Sequence, residues 1–138
     1  MTDSTPIAER AIVYVPFGEK TEITLTMQTV ARYVACKTKK GHLPSNDELV
    51  KFMMLCRSRE LNPFAGDAYL VGYDSHDGPV FSLLTAHQAL QKRSEACPTF
   101  DGIEQGVIIR CSGGERIERA GDYVDDGETL LGGWAKCH

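Results

Sequence analysis

The sequence contains none of the short motifs that mark common catalytic sites. It has no G-x-x-x-x-G-K-[ST], G-x-S-x-G, H-E-x-x-H or C-x-x-C, which removes the usual signatures of P-loop, serine-hydrolase, zinc-protease and thiol-redox chemistry. Asp125, Asp126 and Glu128 share one polar loop, and nothing near them indicates the desolvation that tunes a general acid. We therefore expect a binding protein that is not an enzyme and needs no cofactor.

The sequence also lacks any hydrophobic run of the roughly 20 residues that span a bilayer, and its first residues lack the basic-then-apolar pattern of a signal peptide. Its five cysteines are scattered and odd in number, which favours reduced, buried thiols over a disulfide framework. Together these absences predict a cytoplasmic protein.

Positive charge is scarce over the whole chain, whose formal net charge is −4. This average counts against nucleic-acid binding, because phosphate neutralisation needs a basic surface. The charge is unevenly distributed, however. Residues 30–60 hold seven Lys and Arg against three Asp and Glu, and the acidic residues concentrate from Asp101 onward.

A helix followed by a sharp turn organises the middle of the chain. Ser45 and Glu48 form a capping box, and an apolar face with helical spacing follows it, made of Leu49, Phe52, Met53 and Cys56. Pro63 ends the helix by about Leu61. We expect the aromatic side chains after this turn, Phe64 and Tyr69, to serve the core.

An earlier helix is predicted over residues 27–39 from the apolar stripe that begins at Met27. Lys37, Lys39 and Lys40 then crowd its last turn, before Gly41. Two interpretations stay open for these lysines: favourable electrostatics at the helix C-terminus, or contact with phosphate.

The remaining elements predict an α+β fold. A short strand is expected within residues 11–17, a β-hairpin over residues 68–84 and a helix from a cap at Thr85 to Glu95, with Leu90 facing inward. Antiparallel strands follow over 106–111, 115–119 and from 130 onward. We expect residues 1–10 to be flexible and residues 11–138 to form a single domain that is incomplete at its C-terminus. Asp74, His76 and Asp77 share the hairpin loop, but three such side chains often meet by chance, so no metal site is predicted.

Several of these segments, in this order, resemble the phage single-strand annealing proteins of the RecT and Red β group. The matching stretches are Phe52–Cys56, Leu61-Asn62-Pro63-Phe64, Gly66–Val71, the helix that ends in Lys92-Arg93-Ser94, and Gly133-Trp134-Ala135. The resemblance covers residue 23 to the last residue. It implies a protein that binds single-stranded DNA and anneals it to a complementary strand in phage recombination and DNA repair.

The resemblance further implies assembly into rings or filaments with a shared basic groove, neither ATP nor covalent chemistry, and partners such as a phage exonuclease or a host single-strand binding protein. Lys92 and Arg93 match the basic pair of the family and become the first candidates for phosphate contact. The other candidates for nucleic-acid binding are Lys37, Lys39, Lys40, Phe64, Tyr69 and Lys136.

Two departures from the family pattern occur. Ala65 and Gly66 stand where some members have a lysine, and Ala86 stands where the next helix often begins with glycine. Members of the family also usually continue well beyond the equivalent of His138. The alternative hypothesis is a non-catalytic phage interaction module, or an inactive truncated remnant, that binds protein only.

Overall fold

The computed structural model describes residues 11–138, which form two compact units, residues 11–93 and 94–138. Helices and antiparallel strands occur together, so the predicted α+β class is confirmed, and the element order agrees with the prediction except for an additional strand at Ile23–Leu25. The expected flexible segment, residues 1–10, lies outside the described residues. The grouping of residues 11–138 into one domain stays a prediction.

The first unit contains two small antiparallel sheets and the helices found within residues 11–138, the last of which ends two residues beyond the unit. Its elements are β1 (Ile12–Tyr14), β2 (Ile23–Leu25), α1 (Met27–Tyr33), α2 (Asn46–Ser58), a 3-10 turn (Pro63–Ala65), β3 (Ala68–Ser75), β4 (Gly78–Thr85) and α3 (His87–Glu95). β1 pairs with β2, and β3 pairs with β4 along all eight of its residues.

The helix α2 is the central element of the first unit. Ser45 accepts a hydrogen bond from the backbone N–H of Glu48, whose carboxylate accepts from the Ser45 N–H, so the predicted capping box is confirmed. The predicted apolar face is buried against neighbours from the other elements: Leu25, Val30, Val34, Leu61, Ala68, Leu70 and Ala89. This core fixes one face of the β3–β4 hairpin.

The first helix is shorter than its pattern predicts. It ends at Tyr33, and the chain then leaves the helix to run beside β3, where the Cys36 N–H donates to the Leu70 carbonyl at 2.9 Å. A long-range backbone bond has replaced a helical one. The prediction of a helix through residue 39 was therefore wrong, and with it the interpretation of the lysines as a helix C-terminus.

The third helix also differs from the prediction at its start. Thr85 does not cap it, because Thr85 is the last residue of β4 and lies opposite Ala68. Within the helix Ala89 is buried, whereas Leu90, expected to face inward, is mostly exposed. None of the helices in residues 11–138 is long and apolar enough to cross a membrane.

The second unit is a three-stranded antiparallel sheet in the order β6-β5-β7. Its strands are β5 (Ile103–Arg110), β6 (Arg116–Ala120) and β7 (Thr129–Cys137), with an irregularity in the β5–β7 register at Ile108 and Ile109. The three strands predicted there are confirmed, and two of them are longer than expected.

The loop between β6 and β7 contains the acidic residues Asp125, Asp126 and Glu128. The Arg119 guanidinium donates to both carboxylate oxygens of Glu128 at 2.9 Å, and the Asp125 N–H donates to the same carboxylate at 2.8 Å. The hydrogen bonds from Arg119 hold the pKa of Glu128 below its ordinary value. Glu128 thus orders this loop as an ionised acceptor, which is the opposite of a general acid with a raised pKa.

The five cysteines are free thiols, in agreement with the prediction of reduced residues. Only Cys56 is buried, and burial raises the pKa of its thiol to about 12. The expectation of buried cysteines was wrong for Cys36, Cys97 and Cys137, which are exposed. The apolar sequence around these residues does not bury them because each lies at an edge or in a connection.

Candidate nucleic-acid interface

The β3–β4 hairpin presents an uncharged aromatic and apolar surface on the side away from the core. Because alternate residues of a strand point to opposite faces, burying Ala68 and Leu70 turns every second neighbour outward. This hairpin face consists of Tyr69, Val71 and Tyr73 on β3, opposite Leu84, Ser82 and Val80 on β4. Four of these six side chains remain about half exposed, so the face is open to a ligand.

A basic segment runs along the edge of β3 that β4 leaves open. This lysine segment, residues 35–42, begins with a parallel bridge between Ala35 and Leu70 and continues past Gly72 to Asp74. At Gly72 the contact is so close that an added Cβ would lie 2.8 Å from the Thr38 methyl carbon. Three exposed lysines, Lys37, Lys39 and Lys40, therefore border β3.

The far end of the lysine segment is fastened to the Asp74 carboxylate. The Lys40 N–H donates to Asp74 Oδ2 at 3.0 Å, and His42 Nδ1 lies 3.1 Å from Oδ1. Thr38 Oγ1 in turn accepts the His42 N–H at 3.0 Å. Desolvation acts to raise the pKa of Asp74, but hydrogen bonds from Lys40, Thr38 and His42 outweigh it and leave the pKa below its ordinary value.

The turn between α2 and β3 is built around the Asn62 side chain. Its carbonyl oxygen accepts from the backbone N–H groups of Phe64 and Ala65 at 3.1 and 3.2 Å, and its amide nitrogen lies 3.0 Å from both carboxylate oxygens of Glu19. These partners satisfy the buried amide. The chain break predicted at Pro63 is thus a fixed turn that sets where β3 begins.

Lys92, the first candidate for phosphate contact, pairs with a buried carboxylate at this turn. Its ammonium lies 2.9 Å from Asp67 Oδ1, and Asp67 Oδ2 accepts the Asn62 N–H at 2.9 Å. The Lys92 side chain is nevertheless 44% exposed. It joins α3 to the start of β3, and its contact with phosphate stays a prediction.

Arg93, its neighbour in the predicted basic pair, also has internal partners. Its guanidinium donates to the Arg59 carbonyl and lies 5.0 Å from the centre of the Phe17 ring. Both contacts hold the side chain against the first unit. Among the predicted cations of this unit, the two on α3 are therefore engaged with protein, whereas the side chains of Lys37, Lys39 and Lys40 have no ion pair within residues 11–138.

Phe64 and Tyr69 do not serve the core as expected, since each is 45% exposed. Asn62 and Gly66 explain this outcome. The Asn62 bonds turn Phe64 outward, and the Tyr69 hydroxyl lies over Gly66, where an added Cβ would approach it to 3.3 Å. Gly66 has a φ of +84°, which glycine adopts readily. Both aromatics are therefore accessible to a ligand.

Lys136 is separate from these residues along the chain and belongs to the second unit. Its ammonium lies 5.3 Å from the centre of the Trp134 ring, which covers Gly106 on the neighbouring strand. The Trp134 ring nitrogen is buried and has no hydrogen-bond partner within residues 11–138. Lys136 itself is exposed at the sheet surface.

Sequence reasoning missed Tyr73, His42 and the role of Asp74. Tyr73 had a usable signal, because it follows Tyr69 by four residues in a segment of period two and must share its face. Asp74 and His42 had none, since they are 32 residues apart. His76 and Asp77 lie fully exposed at the hairpin tip, and no group of three metal-binding side chains occurs within residues 11–138.

Comparison with known proteins identifies a family to which the sequence is similar. The family model described as the RecT family matches residues 20–138, which include the hairpin, the lysine segment and the Lys92–Arg93 pair. No curated protein and no solved structure shows significant similarity to the chain. Because the match extends over most of the sequence, the chain belongs to the RecT family, whose members anneal single-stranded DNA in recombination.

Proposed function

We propose that this chain binds single-stranded DNA and anneals it to a complementary strand, and that the hairpin face with the lysine segment is its DNA-binding surface. One observation carries this assignment: an uncharged surface with two half-exposed tyrosines lies beside three exposed lysines that have no ion pair within residues 11–138. Proteins that bind single strands without sequence preference combine aromatic stacking platforms with a basic track for the backbone.

The geometry suits the requirements of annealing. The phosphates must be held while the base edges remain available for pairing, so backbone contacts and stacking should dominate over base-edge readout. Tyr69 and Tyr73 are four residues apart on one strand, or about 13 Å. Lysines along the adjacent edge would then follow the phosphates of the same short stretch of strand.

The predicted basic pair extends this surface at the start of β3. Lys92 remains partly open beside Asp67, the residue before β3, and Phe64 is exposed in the turn that precedes it. We place their contacts with DNA at this end of the hairpin face. Lys136, on the second unit, is a separate candidate for contact with DNA.

Assembly of several copies along one strand is part of the same proposal. Residues 11–93 contain ten Lys and Arg against eight Asp and Glu, whereas residues 94–138 contain four against nine. Opposite net charges favour head-to-tail association, which generates rings or filaments. The outer side of α2 offers apolar contact area through the exposed Met54. Sedimentation velocity should therefore show larger species at low salt than at high salt.

The reaction involves no covalent step and would take place in the cytoplasm during phage DNA recombination. A phage exonuclease that generates the single strand and a host single-strand binding protein that covers it are the partners we propose. Neither partner requires a cofactor in this chain.

A second candidate function is a module that binds protein only. One observation favours it: Lys92 and Arg93, the cations carried over from the family pattern, are both engaged with protein groups. The hairpin face would then dock an apolar partner. This function predicts no affinity for oligonucleotides.

A fluorescent single-stranded oligonucleotide titrated with the folded chain at several salt concentrations separates the two functions. The annealing function predicts binding with a logarithmic salt slope of about −0.7 for each phosphate contacted, and faster pairing of two complementary oligonucleotides. Absence of binding at low salt by a folded sample would exclude the DNA-binding function for this chain.

A further inference from the structure

Asp74 is an unexpected residue for a surface that binds DNA. It is the one charged residue within β3 and β4, and it is negative. A carboxylate beside Lys39 and Lys40 weakens the attraction of that surface for phosphate. Asp74 must therefore favour DNA binding in some other way that offsets this repulsion.

The hydrogen bonds of the Asp74 carboxylate indicate how it does so. Within residues 11–138 the hydrogen bonds of its carboxylate go to the lysine segment: the backbone N–H of Lys40, the ring nitrogen of His42 and the hydroxyl of Thr38. The carboxylate is only 16% exposed and turns toward the segment. It thus acts as an acceptor for protein groups and offers little surface to a ligand.

Within residues 11–138, hydrogen bonds attach the segment to β3 at two points, and Asp74 is one of them. The other is the Leu70 carbonyl, which accepts the Cys36 N–H at 2.9 Å. Lys37 and Lys39 lie between the two attachment points, and Lys40 is bound at its backbone while its side chain stays exposed. Without the second point, the chain after Thr38 would lose its register against the strand.

We propose that Asp74 is a positioning residue, which holds Lys37, Lys39 and Lys40 along β3 so that they engage the same strand of DNA as Tyr69 and Tyr73. This inference rests on the DNA-binding function proposed above. Binding to a segment that is already ordered avoids the entropy loss of ordering it, and this gain outweighs the repulsion between one mostly buried carboxylate and phosphate.

The sign of the effect of one substitution tests the proposal. If Asp74 were only a negative charge near DNA, Asp74→Asn and Asp74→Ala would tighten binding. The positioning role predicts weaker binding and a salt slope that is shallower by about 0.7 for each lysine that leaves the surface. Asp77→Asn is the matched control, since Asp77 is 99% exposed on the same hairpin and contacts only its neighbour His76 within residues 11–138; it should leave binding unchanged or slightly tighter.

A second variant separates order from charge. Thr38→Val removes the hydroxyl that accepts the His42 N–H and changes no charge, so it should weaken binding in the same direction. Amide hydrogen exchange gives a readout without DNA: the Lys40 and His42 amides should exchange faster in Asp74→Ala than in the parent chain, while the amides of α2 keep their protection.

The outcomes separate this inference from the proposed function. A parent chain that binds no oligonucleotide overturns both. A parent chain that binds, together with folded Asp74 and Thr38 variants that bind as well or better, overturns the positioning role alone. Weaker binding, a shallower salt slope and faster Lys40 exchange in the folded variants, with a normal Asp77→Asn control, support it.

Discussion

Two basic regions of the first unit look alike in the sequence and differ in the structure. In the lysine segment the backbone is fastened to β3 and the ammonium groups have no ion pair within residues 11–138. On α3 the side chains themselves are fastened, Lys92 to Asp67 and Arg93 to Arg59 and Phe17. A basic side chain is fully available to a ligand when the fold holds the residue by its backbone. It is less available when the charged group itself has a protein partner.

Removing the stacking platform should produce the largest effect on binding. Replacing both Tyr69 and Tyr73 by alanine should weaken oligonucleotide binding by about 2 kcal/mol or more, since each stacked base contributes about 1–3 kcal/mol. The salt slope should not change, because no phosphate contact is lost. Fluorescence anisotropy at several salt concentrations measures both quantities.

Tyr33→Ala is the control for that experiment, because Tyr33 is an exposed tyrosine on α1 that does not belong to the hairpin face. It should bind like the parent chain. Equal losses in the Tyr33 variant and the double variant would mean that the hairpin face is not a stacking platform.

Neutralising the lysine segment should affect the salt dependence most. Replacing Lys37, Lys39 and Lys40 by alanine should make the logarithmic salt slope shallower by about 2, at about 0.7 per phosphate contact. Lys20→Ala, which removes an exposed lysine from the turn after β1, should change the slope little. If the triple variant keeps the salt slope of the parent chain, the phosphate contacts do not lie along β3.

Replacing Lys92 by alanine tests the basic pair on α3, whose side chains have protein partners. It leaves the buried Asp67 carboxylate without its cation, so the free energy of unfolding should fall by about 1–2 kcal/mol, a range reduced because Lys92 is partly exposed. Its effect on DNA binding, per charge removed, should be smaller than that of the lysine segment. Urea unfolding and anisotropy measure the two effects, and a stable variant that binds poorly would make Lys92 a direct phosphate contact.

The smallest expected effect is the loss, at acid pH, of the stability that Asp74 contributes. The pKa of Asp74 is lowered in the folded chain, so its contribution to stability is present above the ordinary pKa of about 3.9 and is lost as the pH falls through the lower folded value. The difference in melting temperature between the parent chain and Asp74→Asn should thus be constant near neutral pH and vanish in acid. A difference that grows in acid would contradict this assignment.

The sequence was sufficient wherever local signals decide the structure. The Ser45 capping box, the buried face of α2 and the β3–β4 hairpin all follow from spacing within a few residues. The C-terminal end of α1 did not follow, because the Cys36 N–H finds its partner in Leu70. The spacing of apolar residues in a helix gives no information about a hydrogen-bond acceptor on a strand that is distant in sequence.

The candidate site was only partly predictable for the same reason. The lysines and Tyr69 could be named as candidates, but their accessibility depends on Asn62, Gly66 and Asp74, whose partners lie elsewhere in the chain. Tyr69 looked like a core aromatic because aromatic residues in strands usually have a buried side. Within residues 11–93 the core covers one face of the hairpin, and alternation places Tyr69 on the other.

Gly72 leaves room for the lysine segment to pack closely on β3. A methyl group at this position would meet the Phe81 ring at 2.4 Å and the Thr38 methyl carbon at 2.8 Å, so even alanine would push Thr38 away from the strand without altering any charge or any hydrogen-bonding side chain. Residue size at position 72 is therefore a purely steric means of loosening the lysine segment from β3.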